Sequence, residues 1–274
     1  MKNFNLIFYG IGRASSARRK HYKYLIKILD KNYNINVIEI FNNIKKITNI
    51  RSNEISVHLK QDFICNKSIK IKKLFKNSEV VKKNLNFSKN FEDVHRDNYK
   101  SASNLLEQLS MLAESKKYLK AGLVMAVRDD LLFDAKSLIK IINKTSDFVL
   151  KNKKVFITSF FHSNTGICDR IYFGSFENAS KILTRIKLVK KYLKDLDALD
   201  YVKKRGLNAE WLMRYAAEKN NLKPYCIPLF TKRLRASSIQ IESIFSNPKH
   251  WIHEIATFKG LLRYWKFLFL NYFK

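Results

Sequence analysis

Phe4-Asn5-Leu6-Ile7-Phe8-Tyr9-Gly10-Ile11-Gly12-Arg13 is the stretch on which the fold turns. Its first six residues read as a buried strand, and its last four as a turn out of it. Ser15 and Ser16 follow, then a helical stretch from Ala17 to Asp30 and a second strand, Val37-Ile38-Glu39-Ile40-Phe41. Strand, helix and strand in that order predict a parallel pair joined by a right-handed crossover. A glycine turn that leads into a helix start suits an anion, because glycine lets backbone N–H groups approach it closely. Gly10, Gly12 and Arg13 are therefore candidates for phosphate binding. The third glycine of a dinucleotide fingerprint is missing, so a plain tight turn is an equal reading.

The alternation continues. A helix is expected over Ser101–Lys120, capped by Ser101 or Ser103, with Leu105, Leu109, Leu112 and Leu119 near one face. It leads into a strand, Leu123–Val127, that runs out into Arg128-Asp129-Asp130. Further helices are expected at 134–143, 176–193 and 208–218, and further strands at 154–161 and 223–230. Pro224 and Pro228 place the last strand at a sheet edge. This pattern predicts an α/β fold with a mainly parallel sheet flanked by helices. Residues 50–100 carry little periodicity, and Phe87–Asn98 reads as a surface loop.

The chain has 274 residues, 46% of them apolar, with 7 Gly and 3 Pro, which argues for a folded domain and against a repeat or disordered protein. Its three cysteines, Cys65, Cys168 and Cys226, are far apart and odd in number, so neither a disulfide framework nor a metal spacing emerges. Cys168 has no assigned base and reads as a small buried residue. The six histidines do not cluster, and His162 reads as a loop residue. The net charge of +30 attracts polyanions: nucleic acid, an anionic membrane surface or phosphorylated substrates. The basic residues are spread along the chain, and no RNP motif, zinc-finger spacing or basic zipper accompanies them. No signal peptide is read at the start, and no stretch reaches the ~20 apolar residues of a membrane-spanning helix.

Two charged stretches stand out. One is the Arg128-Asp129-Asp130 strand end, placed where open α/β sheets bind ligands. The other is Gly166-Ile167-Cys168-Asp169-Arg170-Ile171-Tyr172-Phe173-Gly174-Ser175, which sets an acid and a base before an apolar run. Strand packing requires neither. Asp130 is a candidate ligand for Mg²⁺ or Mn²⁺ or for a ribose, with Asp129 second, although one of them could instead cap the next helix. Asp169 is a candidate general base and Arg170 a candidate phosphate or acceptor ligand; a structural ion pair is the competing reading. Glu210, between Asn208 and Trp211, is the alternative base, or else a helix-start charge favoured by the dipole.

The Gly-x-Gly-Arg turn, the Arg128-Asp129-Asp130-Leu131 strand end, the Asp-Arg-Ile-Tyr-Phe-Gly-Ser run and the Asn208-Ala209-Glu210-Trp211-Leu212 helix occur in one order. This order resembles the WavE-type lipopolysaccharide-synthesis proteins and related GT-A-like glycosyltransferases of surface polysaccharide pathways, over roughly Asn5 to Arg235. The resemblance implies a GT-A-like, Rossmann-type domain over residues 1–240. It also implies a nucleotide-sugar donor held by Gly10, Gly12, Arg13 and Arg128, and a lipopolysaccharide or other surface glycan acceptor. Where such enzymes carry Asp-x-Asp, this chain has adjacent carboxylates.

Residues 241–274 are expected to form a basic, aromatic amphipathic helix. Trp251, Ile255, Phe258, Leu262, Trp265, Phe269 and Tyr272 make one stripe, flanked by Lys259, Arg263, Lys266 and Lys274. Such a helix either packs on the core or lies at the inner face of a membrane. The reading that competes with an enzyme is a non-catalytic basic protein binding nucleic acid or anionic membrane.

Overall fold

Strand β1 (Lys2–Gly10) lies at the middle of the molecule because its residues from Phe4 to Tyr9 are buried on both faces. The computed structural model describes residues 1–49, 54–93, 96–159, 167–195, 206–227, 229, 231–234, 239–242, 262 and 265–266. Helix α1 (Ser16–Leu29) follows the turn, with the Ser15 hydroxyl accepting from the Arg18 N–H as its cap, and leads to β2 (Tyr33–Asn42). β1 and β2 pair in parallel from Lys2↔Tyr33 to Gly10↔Phe41, as the opening stretch predicts.

The next segment is richer than its composition indicates. β3 (Lys46–Asn49) and β4 (Glu54–His58) form an antiparallel hairpin, β5 (Ile69–Lys73) adds in parallel to β2, and α2 (Glu79–Ser88) follows. The expected surface loop therefore begins as helix, since Phe87 and Ser88 are the last residues of α2. α3 (Lys100–Ser115) is shorter than expected and gives way to a 3-10 turn at Lys116–Tyr118. Its start is held by Asp97, whose carboxylate accepts from the Ser101 N–H and hydroxyl, rather than by a serine cap.

β6 (Leu123–Arg128) then pairs with the other side of β1, from Phe4↔Leu123 to Tyr9↔Arg128. The chain has moved outward from β1 through β2 to β5 and now crosses back, so the β1–β6 boundary is the topological switch point of the sheet. Buried Asn5 fixes the crossing. Its amide donates to the carbonyls of Lys120 (2.8 Å) and Leu123 (3.0 Å), and its oxygen accepts from the Lys120 N–H.

The remaining elements are β7 (Leu131–Phe133), α4 (Ala135–Lys151), β8 (Val155–Ser159), β9 (Ile171–Ser175), α5 (Phe176–Leu183), a 3-10 turn at Arg185–Leu188, α6 (Val189–Lys194), α7 (Ala209–Lys219), β10 (Lys223–Ile227), β11 (Thr231–Leu234) and β12 (Ile239–Glu242). The seven-stranded sheet runs β10-β8-β9-β6-β1-β2-β5. It is parallel except for β9, which is antiparallel to both neighbours. β10, with Pro224, sits at the edge as expected. A small sheet, β12-β11-β7, stands beside the strand ends.

α1 and α4 cover one face of the main sheet through Tyr22, Leu25, Leu138 and Ile142. α3, α5 and α7 cover the other through Leu112, Ile182 and Met213. α4 is longer than expected, and the single helix expected over 176–193 is divided into α5 and α6 by the 3-10 turn. The fold is thus mixed α/β with a mostly parallel, helix-flanked, Rossmann-like sheet. Among the described residues no helix is long and apolar enough to cross a membrane. The expected C-terminal helix lies almost wholly outside the described residues; of it, Leu262 and Trp265 are helical and exposed.

One buried acid organises the crossover between β2 and β5. The Glu39 carboxylate accepts from the N–H groups of Ile64 (2.6 Å) and Cys65 (2.9 Å) and from the Ser68 hydroxyl (2.6 Å). Glu39→Gln turns an amide donor toward these donors. Urea denaturation should show a loss of about 2–3 kcal/mol, the scale of hydrogen bonds to a buried charge. An unchanged midpoint would mean that the crossover is held by other contacts.

Candidate functional site

The β6 strand ends by sending two adjacent carboxylates in different directions. Asp129 turns inward and is 1% exposed. Its Oδ2 accepts from the Gly12 N–H (2.7 Å), its Oδ1 from the Ile11 N–H (3.2 Å), and its own N–H donates to the Tyr9 carbonyl (2.9 Å). Here Gly10 is a steric requirement, because a Cβ there would stand 1.8 Å from the Asp129 Oδ1 at a φ of +148°. At Gly12, with φ +62°, a Cβ would meet the Phe41 ring at 2.6 Å.

Arg18 completes this knot. Fully buried on α1, its guanidinium lies 5.0 Å over the Phe41 ring, its Nε stands 3.4 Å from the Asp129 Oδ2, and its Nη1 donates to the Asp62 carboxylate at 2.7 Å. Asp62 in turn donates its N–H to the Gly12 carbonyl (2.9 Å). Gln61 donates to the carbonyls of Ile11 (2.5 Å) and Asn42 (2.7 Å). Burial pushes the Asp129 carboxyl up to about 6; the Arg18 charge opposes that shift, the Asp130 charge adds to it, and the two N–H donors oppose it.

The expected use of the glycine turn needs correction in consequence. The N–H groups of Ile11 and Gly12 point at the protein's own carboxylate, so they are not aimed at an incoming phosphate. Asp129 likewise holds the turn, and neither it nor Asp130 caps the next helix; that cap is Asp134, which accepts from the N–H groups of Lys136 and Ser137.

Asp130 faces the other way and takes a two-pronged bond from Arg128, Nε to Oδ1 at 2.7 Å and Nη2 to Oδ2 at 2.8 Å. Burial alone would lower the Arg128 pKa, but Asp130, Asp169 and Tyr9 outweigh it and hold the guanidinium charged. With one acid on Arg18 and two N–H groups, and the other on Arg128, both candidate Mg²⁺ or Mn²⁺ ligands are already engaged, and the pair as it stands does not fit a metal site. Among the described residues no group of three or more His, Cys, Asp and Glu side chains is gathered as a metal would need.

The second charged stretch comes to the same strand ends. The Arg170 carbonyl accepts from the Arg128 N–H (2.8 Å), the Asp169 carbonyl from the Tyr9 hydroxyl (2.8 Å), and the Glu210 carbonyl from the Ile167 N–H (3.0 Å). Asp169 is buried, not an ion on an outer surface. Glu210 stands in the first turn of α7, where the Asn208 side chain accepts from the Glu210 and Trp211 N–H groups. Burial raises the Glu210 carboxyl, the Asp169 charge raises it further, and Arg170 and Arg128 oppose. Arg128 therefore links Asp130 to the Asp169–Glu210 pair. Cys168 is buried at 3.0 Å from the Ser159 hydroxyl, and burial raises its thiol pKa, so it is the small core residue expected. His162 lies outside the described residues.

A cavity of about 280 Å³ opens at these strand ends. Gly10, Ile11 and Arg13 form one wall, and Arg128, Asp129, Asp130 and Leu234 another; Asn42, Ile44, Lys46 and Ile47 continue it from β2 into the hairpin. Lys76 and the α3 residues Asn104, Glu107, Gln108 and Met111 close it. Arg13, Arg128 and Asp130 thus line one cavity; Gly12, Asp169, Arg170 and Glu210 are not among its lining residues. Asn42, Lys46, Lys76 and Glu107 carry no motif. The one signal for Glu107 is a charge set among the leucines of the buried α3 face.

No protein-family profile and no curated protein sequence matches the chain. A solved structure assigned as a glucose-1-phosphate thymidylyltransferase from Bacillus anthracis, in complex with sucrose, is similar to it with a TM-score of 0.35 and 9% identity, over 84% of this chain and 89% of that one. A likeness at that level carries no chemistry, which has to come from this chain's own residues.

The Asp129 environment has a pH signature. Its folded pKa of about 6 lies above the ordinary 3.8, so the folded state holds the proton more tightly than the unfolded one. The stabilisation is complete below pH 4 and is lost as pH rises through 6, about 3 kcal/mol in all at 1.36 kcal/mol per unit. Denaturation of the wild type and of Asp129→Asn across pH 3.5–7.5 should show that slope in the difference between them. Parallel profiles would mean that the Asp129 pKa is the same in the folded and unfolded states.

Proposed function

We propose that the protein is a glycosyltransferase that takes a sugar from a nucleotide-sugar donor. The observation that carries this reading is the cavity at the switch point, lined by Arg13, Lys46, Lys76 and Arg128. Open α/β sheets bind ligands at this position. A partly open cavity near the small end of ligand sites suits a mononucleotide, whereas polymeric nucleic acid is tracked along an extended charged groove.

The donor's diphosphate lies in the field of these cations, nearest Arg13 and Arg128. As the bond between the sugar C1 and the phosphate oxygen breaks, negative charge grows on the diphosphate, and preorganised cations stabilise it. Arg128, held by Asp130, is fixed before the substrate arrives. The acceptor hydroxyl forms the new bond to C1 and gives up its proton; Asp169 and Glu210, which stand next to Arg128 but do not line the cavity, are the acids we assign to take it. Burial, with the Asp169 charge adding to it, raises the Glu210 carboxyl and so strengthens it as a base. Arg170 orients the acceptor or the phosphate. No step runs through a metal ion.

The acceptor, a lipopolysaccharide or other surface glycan, rests on the family resemblance alone. A peripheral position at the inner membrane face rests on the +30 charge and on the aromatic stripe of residues 251–272.

A thermal-shift screen of UDP- and GDP-sugars, with and without Mn²⁺, tests the donor. A sugar nucleotide should raise the melting temperature without added metal, and Lys76→Ala should weaken that shift. Asp169→Asn and Glu210→Gln should each lower kcat, on the order of a hundredfold for the group that takes the proton, and leave donor affinity unchanged, as for groups that act on the transition state. If single-stranded or duplex DNA binds with a steep salt dependence and no sugar nucleotide does, the basic-protein reading replaces this one.

A further inference from the structure

We infer that Glu107 reads the nucleoside end of the bound nucleotide, accepting from a pair of adjacent hydrogen-bond donors. The inference rests on the nucleotide reading of the cavity and adds to it the part of the ligand that decides specificity.

Glu107 is a cavity-lining acid, 7% exposed, that sugar transfer does not use. Its Oε1 accepts from the Ser103 hydroxyl at 3.2 Å, and its Oε2 from the Asn42 amide. Asn42 cannot turn away, because its Oδ1 accepts from the Phe75 N–H (3.2 Å) and its backbone carbonyl from Gln61 (2.7 Å). The carboxylate is thus fixed by neutral donors on a wall that faces the ligand. A carboxylate offers about four lone-pair sites, so one donor at each oxygen leaves each with capacity toward the cavity.

Charge decides which part of the ligand meets it. A diphosphate beside Glu107 would set anion against an acid bonded only to neutral groups, whereas Asp129 and Asp130 on the opposite wall are paired with Arg18 and Arg128. The diphosphate therefore lies toward Arg13 and Arg128, and the uncharged nucleoside toward α3. The other lining on this side fits a flat ring with a polar edge. Ile44, Ile47 and Met111 supply apolar surface, and Asn104 and Gln108 supply amides.

Two paired oxygens on one carboxylate match two adjacent donors. A nucleoside offers that pairing in two places, the N1–H and N2–H edge of guanine and the 2′,3′-diol of ribose. Uracil shows one N–H between two carbonyls, which the carboxylate repels.

The test is calorimetric binding of GDP, IDP, 2′-deoxy-GDP, UDP and 2′-deoxy-UDP to the full chain and to Glu107→Gln. If the guanine edge is read, IDP and UDP bind roughly tenfold more weakly than GDP, the scale of one charged hydrogen bond, and the deoxy forms bind like their parents. If the diol is read, both deoxy forms lose roughly that factor and IDP binds like GDP. In either case Glu107→Gln should erase the preference while Kd for the non-preferred ligands stays within about twofold. Asn104→Lys, at an exposed position one turn away on the same face, should erase it too by bringing an ammonium to the carboxylate. This second variant keeps the test decisive if Glu107→Gln does not fold. Equal binding of all five by the wild type, or a preference that survives both variants, overturns the role of Glu107 and leaves the nucleotide reading intact. No binding of any of the five overturns both.

Discussion

The Asp129 carboxylate is the point on which the site depends. It is buried, it accepts from the Ile11 and Gly12 N–H groups, and it faces Arg18, which is itself tied to Asp62 and laid over Phe41. A buried charge left without its partner is costly, so none of these groups can be removed singly without penalty. The arrangement therefore locks three segments that are remote in sequence: the β1 turn, the end of β6 and the crossover that carries Asp62. Glu39 performs a similar service a few residues further along that crossover. Two acids that would be liabilities in a core are thus the fasteners of the ligand-facing edge.

This constraint moves phosphate recognition from backbone to side chains. In many α/β proteins a glycine turn offers its N–H groups to the anion. Here the turn is closed on Asp129, and the cations lining the cavity are Arg13, Lys46, Lys76 and Arg128. Side-chain cations neutralise charge without a metal, which agrees with carboxylates that are already occupied by Arg18 and Arg128. The buried Asp169 and the raised Glu210 carboxyl stand behind Arg128, where a proton acceptor would be wanted.

Much of the frame was legible because it rests on local periodicity. The β1–α1–β2 unit, the β6 strand with its charged end and the edge position of β10 all follow from apolar runs, glycines and prolines. The charged Arg128-Asp129-Asp130 and Asp169-Arg170 stretches were legible as exceptions to strand packing. The roles inside them were not. Which of two adjacent aspartates turns inward is decided by Arg18 and by the turn it closes, and no spacing records that. The antiparallel β9 depends on long-range pairing. The strands β3, β4 and β5 are only four or five residues long, so the alternation of Ile55 and Val57, and of Ile69 and Ile71, is too brief to stand out from the lysine-rich sequence around it. Glu107, Lys46 and Lys76 reach the cavity only because tertiary packing brings α3 and the hairpin to the end of β2.

Photolabelling with 8-azido-GDP, followed by peptide mapping, tests the central claim most directly, because it reports where a nucleotide sits without presuming what is done with it. The account predicts label on α3, within residues 100–115, or on the segment 42–47 after β2, and its displacement by unmodified nucleotide. Label confined to the 251–272 stripe, or spread over surface lysines and not displaced, would contradict it.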